Sequence, residues 1–557
     1  MSKLRLSRIL TVTALFSCFN PAWAADPGAL AAKPNVLLIV ADDLGYSDLG
    51  VFGSEIRTPN IDELARSGTL FTRFHAAATC SPTRAMLLSG TDPHLVGAGN
   101  MSEHLAPSQR GRPGYEGYLN NRVVTVSSLL KDAGYHTYMV GKWHLGVKDE
   151  FGPHSRGFEE SYVMLQGGAA HFAQEKPTGL ASVSPMAQYR ENGKPVNVPH
   201  DFFSSKFYTD KLIEYIEHRR PEGKPFFAYA AYPAPHWPLQ APDEYIARYK
   251  GRYDGGYDQL RAERLERMKQ LGLVAKDVDG APRASGVPAW EDLDAGEKAR
   301  SARTMEVYAA MVEAMDHHVG RLVNYLKETE QFENTVIIFI SDNGAEGNDI
   351  SQIEDNAKWV PATFDNSLEN IGRKNSYVWL GAGWGQATSQ PFRLFKAYPT
   401  EGGLTVPAFV TAGQLGKPGR SDVFASAKDI MPTILELTGV PHPGIEYQGR
   451  TVFPMQGASM LPHLRGSAPT VHTADYVMGW ELFGRRALRK GDWKIVYLFP
   501  PHGQSRWQLF NLKDDPSELN DLAAARPDVL NELLLEWNRY TTENNVLPLE
   551  ADYSYSK

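Results

Sequence analysis

The sequence predicts an α/β fold: a large mixed, mostly parallel sheet flanked by helices, followed by a smaller C-terminal α+β domain with an antiparallel sheet. Three observations carry this. Four short apolar runs rich in Val, Ile and Phe each end in polar residues, helical patterns lie between them, and the pattern changes from about residue 453. A chain of 557 residues can bury a large core and divides into more than one domain.

Lys3, Arg5 and Arg8 precede a short apolar run, Ile9 to Phe16, and Ala22-Trp23-Ala24 offers small residues at a cleavage position. This predicts a secretory signal peptide over residues 1–24, too short in its apolar part to remain as a membrane span. Leu15-Phe16-Ser17-Cys18 loosely matches a lipoprotein site, so lipid anchoring through Cys18 competes with simple cleavage. Either way export to the periplasm or medium is expected.

The four apolar runs are "NVLLIVADDLG" (35–45), "HTYMVGKWHLG" (136–146), "PFFAYAAYPAPHWP" (225–238) and "TVIIFISDNGAEG" (335–347). Continuous rather than alternating hydrophobicity predicts parallel strands buried on both faces. Helical patterns occupy 58–68, 125–135 and 301–329. Residues 250–300 and 345–395 lack clean periodicity and are expected to be long excursions near the working edge of the sheet. A main domain over 33–452 is followed by a smaller one over 453–557, where "RRALRKGDWKIVYLF" and "WQLFNL" predict antiparallel strands. "ARPDVLNELLLEWNRY" predicts an amphipathic helix with Pro527 near its start.

Ligands of open α/β sheets sit at the carboxyl ends of the strands. Here those ends carry Asp42 and Asp43, Lys142 and His144, His236, and Asp342 and Asn343. Without the leader the formal charge falls from −8 to −11, which argues against nucleic acid as a partner. Cys80 is then the single cysteine, so no disulfide can form within the chain.

An unpaired cysteine is commonly a small buried hydrophobe. Cys80, however, lies at or next to the N-cap of a predicted helix that Pro82 opens and Gly90 ends, with Arg84 one turn further on. Free N–H groups and a guanidinium make that an anion site. Asp42, Asp43 and Asp342-Asn343-Gly344 each suit a solvated turn, but together they supply three carboxylates and an amide oxygen, a donor set for a hard cation. Lys142 and His144 alternate along an extended segment and point the same way. His236 lies in a proline-rich loop, and Lys396 precedes Glu401 by five residues. His75, His317 and His318 are taken as structural. Trp237, Trp384 and Tyr398 are candidates to wall a substrate pocket.

Cys80-Ser81-Pro82-Thr83-Arg84 resembles the C-x-P-x-R motif of the type I sulfatases, in the alkaline phosphatase superfamily, and "AMLLSGTDPH" continues that stretch. The resemblance runs from "PNVLLIVADDLGYSDLG" to "WQLFNLKDDPSELNDLA", and the excursions resemble bacterial arylsulfatases. It implies an alkaline phosphatase-like fold and hydrolysis of sulfate esters, aryl esters foremost, through a formylglycine-sulfate intermediate. It implies that Cys80 is oxidised to formylglycine by a formylglycine-generating or anaerobic maturation enzyme. It further implies one Ca²⁺, with Mg²⁺ as the alternative, held by Asp42, Asp43, position 80, Asp342 and Asn343. Arg84 and Lys142 would hold the hydrate and sulfate, and Asp342 would act as base. His236 with Lys396 would serve the leaving alcohol, and His144 would deprotonate the second hydroxyl. A monomer acting on a small sulfate ester is expected. The rivals are a phosphodiester or phosphonate monoester hydrolase of the same superfamily and a catalytically silent binding protein.

Overall fold

The computed structural model describes residues 33–173, 187–352, 356–412, 415 and 418–553. The expected leader and Cys18 lie outside them. Among the described residues no helix is long and apolar enough to cross a membrane.

The four apolar runs form the strands Asn35–Ala41, His136–Lys142, Phe226–Ala231 and Thr335–Ser341, every residue buried. Side chains alternate across the sheet. Val36, Leu38 and Val40 enter one core, and Leu37, Ile39 and Ala41 enter the other, which is why no polar residue interrupts the run. In spatial order the four run Thr335–Ser341, Asn35–Ala41, Phe226–Ala231, His136–Lys142, all parallel. Glu160–Met164 extends them in parallel on one side, and Ala408–Thr411 joins antiparallel on the other. Shorter strands complete a ten-stranded mixed sheet.

One face is covered by the helices Pro59–Ser67, Ser204–Arg219 and Ala295–Glu328, the other by Cys80–Ser89 and Ile430–Thr438. The long helix begins six residues before the sequence pattern predicts. Asp294 caps it in a reciprocal box with Glu297, satisfying two otherwise orphaned backbone donors. The 250–300 excursion is also more regular than expected, since it holds the helix Gly256–Gln270. Its Arg264 is fully buried and reaches Asp48 and Glu55.

Toward the C-terminus, Val477–Leu482, Arg485–Lys490, Trp493–Leu498 and Arg506–Asn511 form an antiparallel meander. Met478, Trp480 and Val496 share the core of the large sheet, while Leu488, Ile495 and Leu509 pack beneath the Pro527–Glu543 helix through Leu533 and Trp537. Trp480 Nε1 donates to the Ala76 carbonyl at 3.0 Å, fastening this sheet to the segment that leads into Cys80.

Candidate active site

Because the four central strands are parallel neighbours, their carboxyl ends open on one edge. Ala41 pairs with Ser341, so Asp42–Asp43 and Asp342–Asn343 leave the sheet side by side. Gly141 pairs with Ala231 where the strands approach so closely that a Cβ at Gly141 would lie 1.8 Å from the Ala231 carbonyl oxygen. Gly344 is needed for space rather than for a turn, since its Cβ would stand 2.0 Å from the Gly402 carbonyl oxygen.

Cys80 is the first residue of the Cys80–Ser89 helix, with Thr79 at the N-cap and Gly90 closing the helix in the left-handed region. Its Sγ lies 3.4 Å from Asp42 Oδ1 and 3.9 Å from Asp43 Oδ1. One atom from each of Asp42, Asp43, Cys80 and His236 falls within 4.8 Å of the others. Asp342 and Asn343 join through Asp43. The Asp43 N–H donates to Asp342 Oδ1 at 3.3 Å, and Asn343 Nδ2 donates to Asp43 Oδ1 at 2.7 Å.

Cations surround these carboxylates. Lys142 Nζ donates to both oxygens of Asp42, at 2.9 and 2.7 Å. Arg84 donates from Nε and Nη2 to Asp342 Oδ2, at 2.9 and 2.7 Å, and from Nη1 to the Lys142 carbonyl. Lys396 Nζ lies 2.9 Å from Asp43 and 3.3 Å from Glu346 Oε2. His236 Nε2 is 3.6 Å from Asp43 Oδ2, and its Nδ1 is 2.6 Å from the Trp237 carbonyl. His144 stands apart from these contacts. Its Nε2 is 2.8 Å from Glu103 Oε1, and its buried Nδ1 has no partner among the described residues.

The electrostatics follow from burial and from which charges are close. Burial opposes ionisation of Asp43, but Lys396, His236 and Lys142 outweigh it and hold the carboxyl down at about 2. Asp342 is pushed up, first by burial and then by the charge of Asp42, against Arg84 and Lys142. Burial drives the Cys80 thiol well above its usual range and His236 well below its own, so both favour the neutral form. Asp43 and His144 hold positive φ, 66° and 55°, as does Ala397 beside Lys396 at 73°. Non-glycine residues adopt that region at a cost, and such positions concentrate at functional sites.

Several supporting residues have no signature in the sequence. Glu103 holds His144. Glu346 pairs with Lys396, and its motif "SDNGAEG" gives a faint signal. His171 Nε2 meets the His236 carbonyl at 2.9 Å. Behind Asp43, Tyr308 Oη donates to the Asp43 carbonyl at 3.3 Å and to Asp48 Oδ2 at 2.6 Å, and Asp48 in turn receives Arg264. Trp237 stacks on His236 at 4.9 Å between ring centres, and Tyr398 lies under the Arg485 guanidinium. Trp384 belongs to the core, with Tyr253, Tyr257 and Trp290 around it and Nε1 bonded to Ser301. His75 is buried against Glu401 at 2.9 Å.

A parallel sheet whose carboxyl edge gathers buried carboxylates, buried cations and a residue at a helix N-terminus has the make-up of a hydrolytic site for an anionic ester. The sulfatase family model matches residues 34–440, and the chain belongs to that family. An uncharacterized sulfatase of Schizosaccharomyces pombe is 47% identical over 536 residues, 94% of this chain and 96% of that one. An arylsulfatase of Klebsiella aerogenes is 36% identical over 438 residues, 78% of this chain and 93% of the relative. Among solved structures, Ps i-CgsB in complex with k-i-k-neocarrahexaose superposes with a TM-score of 0.65 at 26% identity, covering 92% of this chain and 93% of that chain. The protein is a sulfuric ester hydrolase.

Proposed function

We propose that this sulfatase cleaves aryl sulfate monoesters with position 80 as formylglycine and with Ca²⁺ held by Asp42, Asp43, Asp342 and Asn343. One observation carries the reading: the Cys80 sulfur, at a helix N-terminus, meets two carboxylates in a pocket fenced by Lys142, Arg84 and Lys396. The K. aerogenes relative, an arylsulfatase, supports the aryl substrate.

The residues present fit a hard cation. Three carboxylates and an amide oxygen converge, no soft donor other than position 80 is among them, and Asn343 Oδ1 is buried without a hydrogen-bond partner. An unpaired buried acceptor costs about 1–3 kcal/mol, which a ligated cation would recover. When bound, Ca²⁺ supplies fixed positive charge facing the sulfate oxygens. Mg²⁺ would suit the same oxygens with more water retained. A hydrated aldehyde at position 80 would supply two hydroxyls on one carbon, one as the nucleophile and one as the proton source for release of sulfate.

The chain's own groups then divide the work. Lys142 and Arg84 hold the hydrate and the sulfate oxygens. Asp342 gives Oδ2 to Arg84, while its Oδ1 accepts only from the Asp43 N–H, so Oδ1 is the oxygen assigned as base for the nucleophile. His236 has its Nδ1 committed to the Trp237 carbonyl, which leaves Nε2 as an acceptor in the neutral ring. Lys396 is therefore the readier proton donor to the departing phenol, with His236 orienting it. His144 takes the second hydroxyl's proton through Nδ1, because Glu103 occupies Nε2. We also infer export from the leader, maturation of Cys80 by a formylglycine-generating or anaerobic maturation enzyme, and action as a monomer.

The test is mass spectrometry of the peptide containing Cys80 from active enzyme, with turnover of paired 4-nitrophenyl sulfate and phosphate. A carbonyl in place of sulfur and preference for the sulfate are expected. An intact thiol in fully active protein, or preference for the phosphate, would overturn the reading.

A further inference from the structure

A cavity of about 290 Å³ opens at the seam between the C-terminal sheet and the edge of the large one, away from the residues assigned above. Its wall includes Arg489 from the Arg485–Lys490 strand and Arg73 from the large-sheet edge. Arg489 is only 5% exposed, yet no carboxylate receives it. Its Nε donates to the Gly491 carbonyl at 2.9 Å, and its buried Nη1 has no hydrogen-bond partner among the described residues.

A buried guanidinium with no carboxylate in contact is a costly arrangement. Part of that is offset where the Arg489 guanidinium carbon lies 4.1 Å above the Phe424 ring, a cation–π contact that strengthens when desolvated. The neighbouring acids act on it only from a distance, and each is in contact with another partner or exposed: Glu401 is held by Lys494 at 2.6 Å and His75 at 2.9 Å. Asp492 is taken by Arg73 at 3.3 Å, and Asp429, behind the wall, by His472 at 2.9 Å. Asp422 stands exposed at the rim. Burial, with Arg73 adding to it, outweighs the charges of Glu401 and Asp492 and pulls Arg489 down to about 10, so it remains charged at neutral pH.

The rest of the wall is apolar and flat. Phe424 forms one side, and His472 stacked on Tyr476, at 3.8 Å between ring centres, forms another. An unpartnered cationic fork set between aromatic walls matches a planar ring that carries one negative group. We propose that this seam cavity is a second ligand site, which binds a small organic anion, a sulfonate, sulfate ester or carboxylate on an apolar ring, through the Nη atoms of Arg489. Phe424 also touches His75, 5.0 Å away, so the site borders the segment leading to Cys80.

The test uses the full-length mature enzyme and three probes: benzenesulfonate, benzoate and the uncharged benzenesulfonamide, titrated by calorimetry. Arg489→Met should weaken the two anions at one of two binding steps by about 10- to 100-fold, the worth of charge-assisted hydrogen bonds, and should leave aryl sulfate turnover unchanged. Loss for benzenesulfonate alone would mark a sulfur oxyanion site, and equal loss for benzoate a general one. Thr470→Trp, an exposed position at the mouth, should block the same step while leaving Arg489 in place. Without any probe, Arg489→Met should be as stable as the parent or more so. A single binding step indifferent to both substitutions, equal binding of benzenesulfonamide, or clear destabilisation of probe-free Arg489→Met would overturn the proposal, the last by making Arg489 structural.

Discussion

Arg264→Met separates the support of the metal-facing loop from the chemistry. Arg264 makes five side-chain bonds: two to Glu55 at 3.0 and 2.9 Å, one to Asp48 at 2.5 Å, and two to Ser47 and Ser54. Removing it leaves the buried carboxylate of Asp48 without its cation and Glu55 with only Arg267, 3.8 Å away. Breaking a buried pair by deleting one partner costs about 3–5 kcal/mol, more than the pair contributes over an apolar substitute, because the remaining charge is uncompensated. The loss reaches the site, since Asp48 Oδ2 also accepts from the Gly45 N–H and from Tyr308, whose hydroxyl holds the Asp43 carbonyl in its left-handed conformation. We expect the urea midpoint to fall by an amount equivalent to ~3–5 kcal/mol, and Ca²⁺ affinity to fall about 10- to 100-fold, as for other outer supports of a metal site. Arg264→Lys should recover part of the stability only, because one ammonium cannot bridge both acids. Urea unfolding with Ca²⁺ and with chelator, together with calorimetric Ca²⁺ titration, reads both effects. If Arg264→Met stays within ~1 kcal/mol of the parent and binds Ca²⁺ unchanged, the excursion does not support the site and the reasoning fails.

Asn343→Ala removes the partnerless amide oxygen and, with it, the Nδ2 donor to Asp43, so Ca²⁺ binding should weaken beyond what the loss of stability of chelated protein accounts for; calorimetry with and without Ca²⁺ checks this. Glu103→Gln should lower kcat by roughly 10- to 100-fold with KM nearly constant, and should move the pH–rate profile, because the group acts only through His144. His94 gives a pH effect remote from the chemistry. Burial opposes its charge, but the hydrogen bond from its Nδ1 to Asp92 and the charge of Glu481, 3.7 Å from Nε2, prevail and raise it from 6.5 to about 9. The folded state therefore binds this proton more tightly than the unfolded one. The stabilisation is complete below pH 6.5 and is lost as pH rises through 9, up to about 3 kcal/mol in all. Denaturant midpoints of wild type and His94→Asn should converge between those limits, and parallel curves would remove His94 as their source.

The strands were legible because a parallel strand with both faces in a core must be apolar throughout, and its first polar residue marks the sheet edge. That rule alone located Asp42, Lys142 and Asp342. The Gly256–Gln270 helix was not legible for the opposite reason. Its buried positions, Tyr257, Leu260, Arg264 and Met268, do follow helical spacing, but an arginine in the middle of the stripe makes it look like charged coil. Glu103 was hidden because its partner is 41 residues away and neither strand nor helix periodicity links them. Trp384 misled because aromatic composition says nothing of direction; its ring closes a core beneath the excursion.

Charge balance explains why so many ionised groups tolerate one dry edge. Among the described residues the site holds four buried carboxylates, Asp42, Asp43, Asp342 and Glu346, against three buried cations, Lys142, Arg84 and Lys396. Without a metal the excess is one negative charge, and it shows in Asp342 and Glu346, both pushed up by burial and by neighbouring acids. A sulfate monoester, itself an anion, would be repelled by that arrangement. A divalent cation reverses the sign to one positive charge, which the ester then neutralises. The acids are thus too many to serve the cations alone and too few to forbid an anion once a metal is present. A monovalent ion of similar size should therefore fail to restore substrate binding to chelated enzyme even where it restores stability, and equal rescue of binding by Na⁺ and Ca²⁺ would show that charge is not what sets the site.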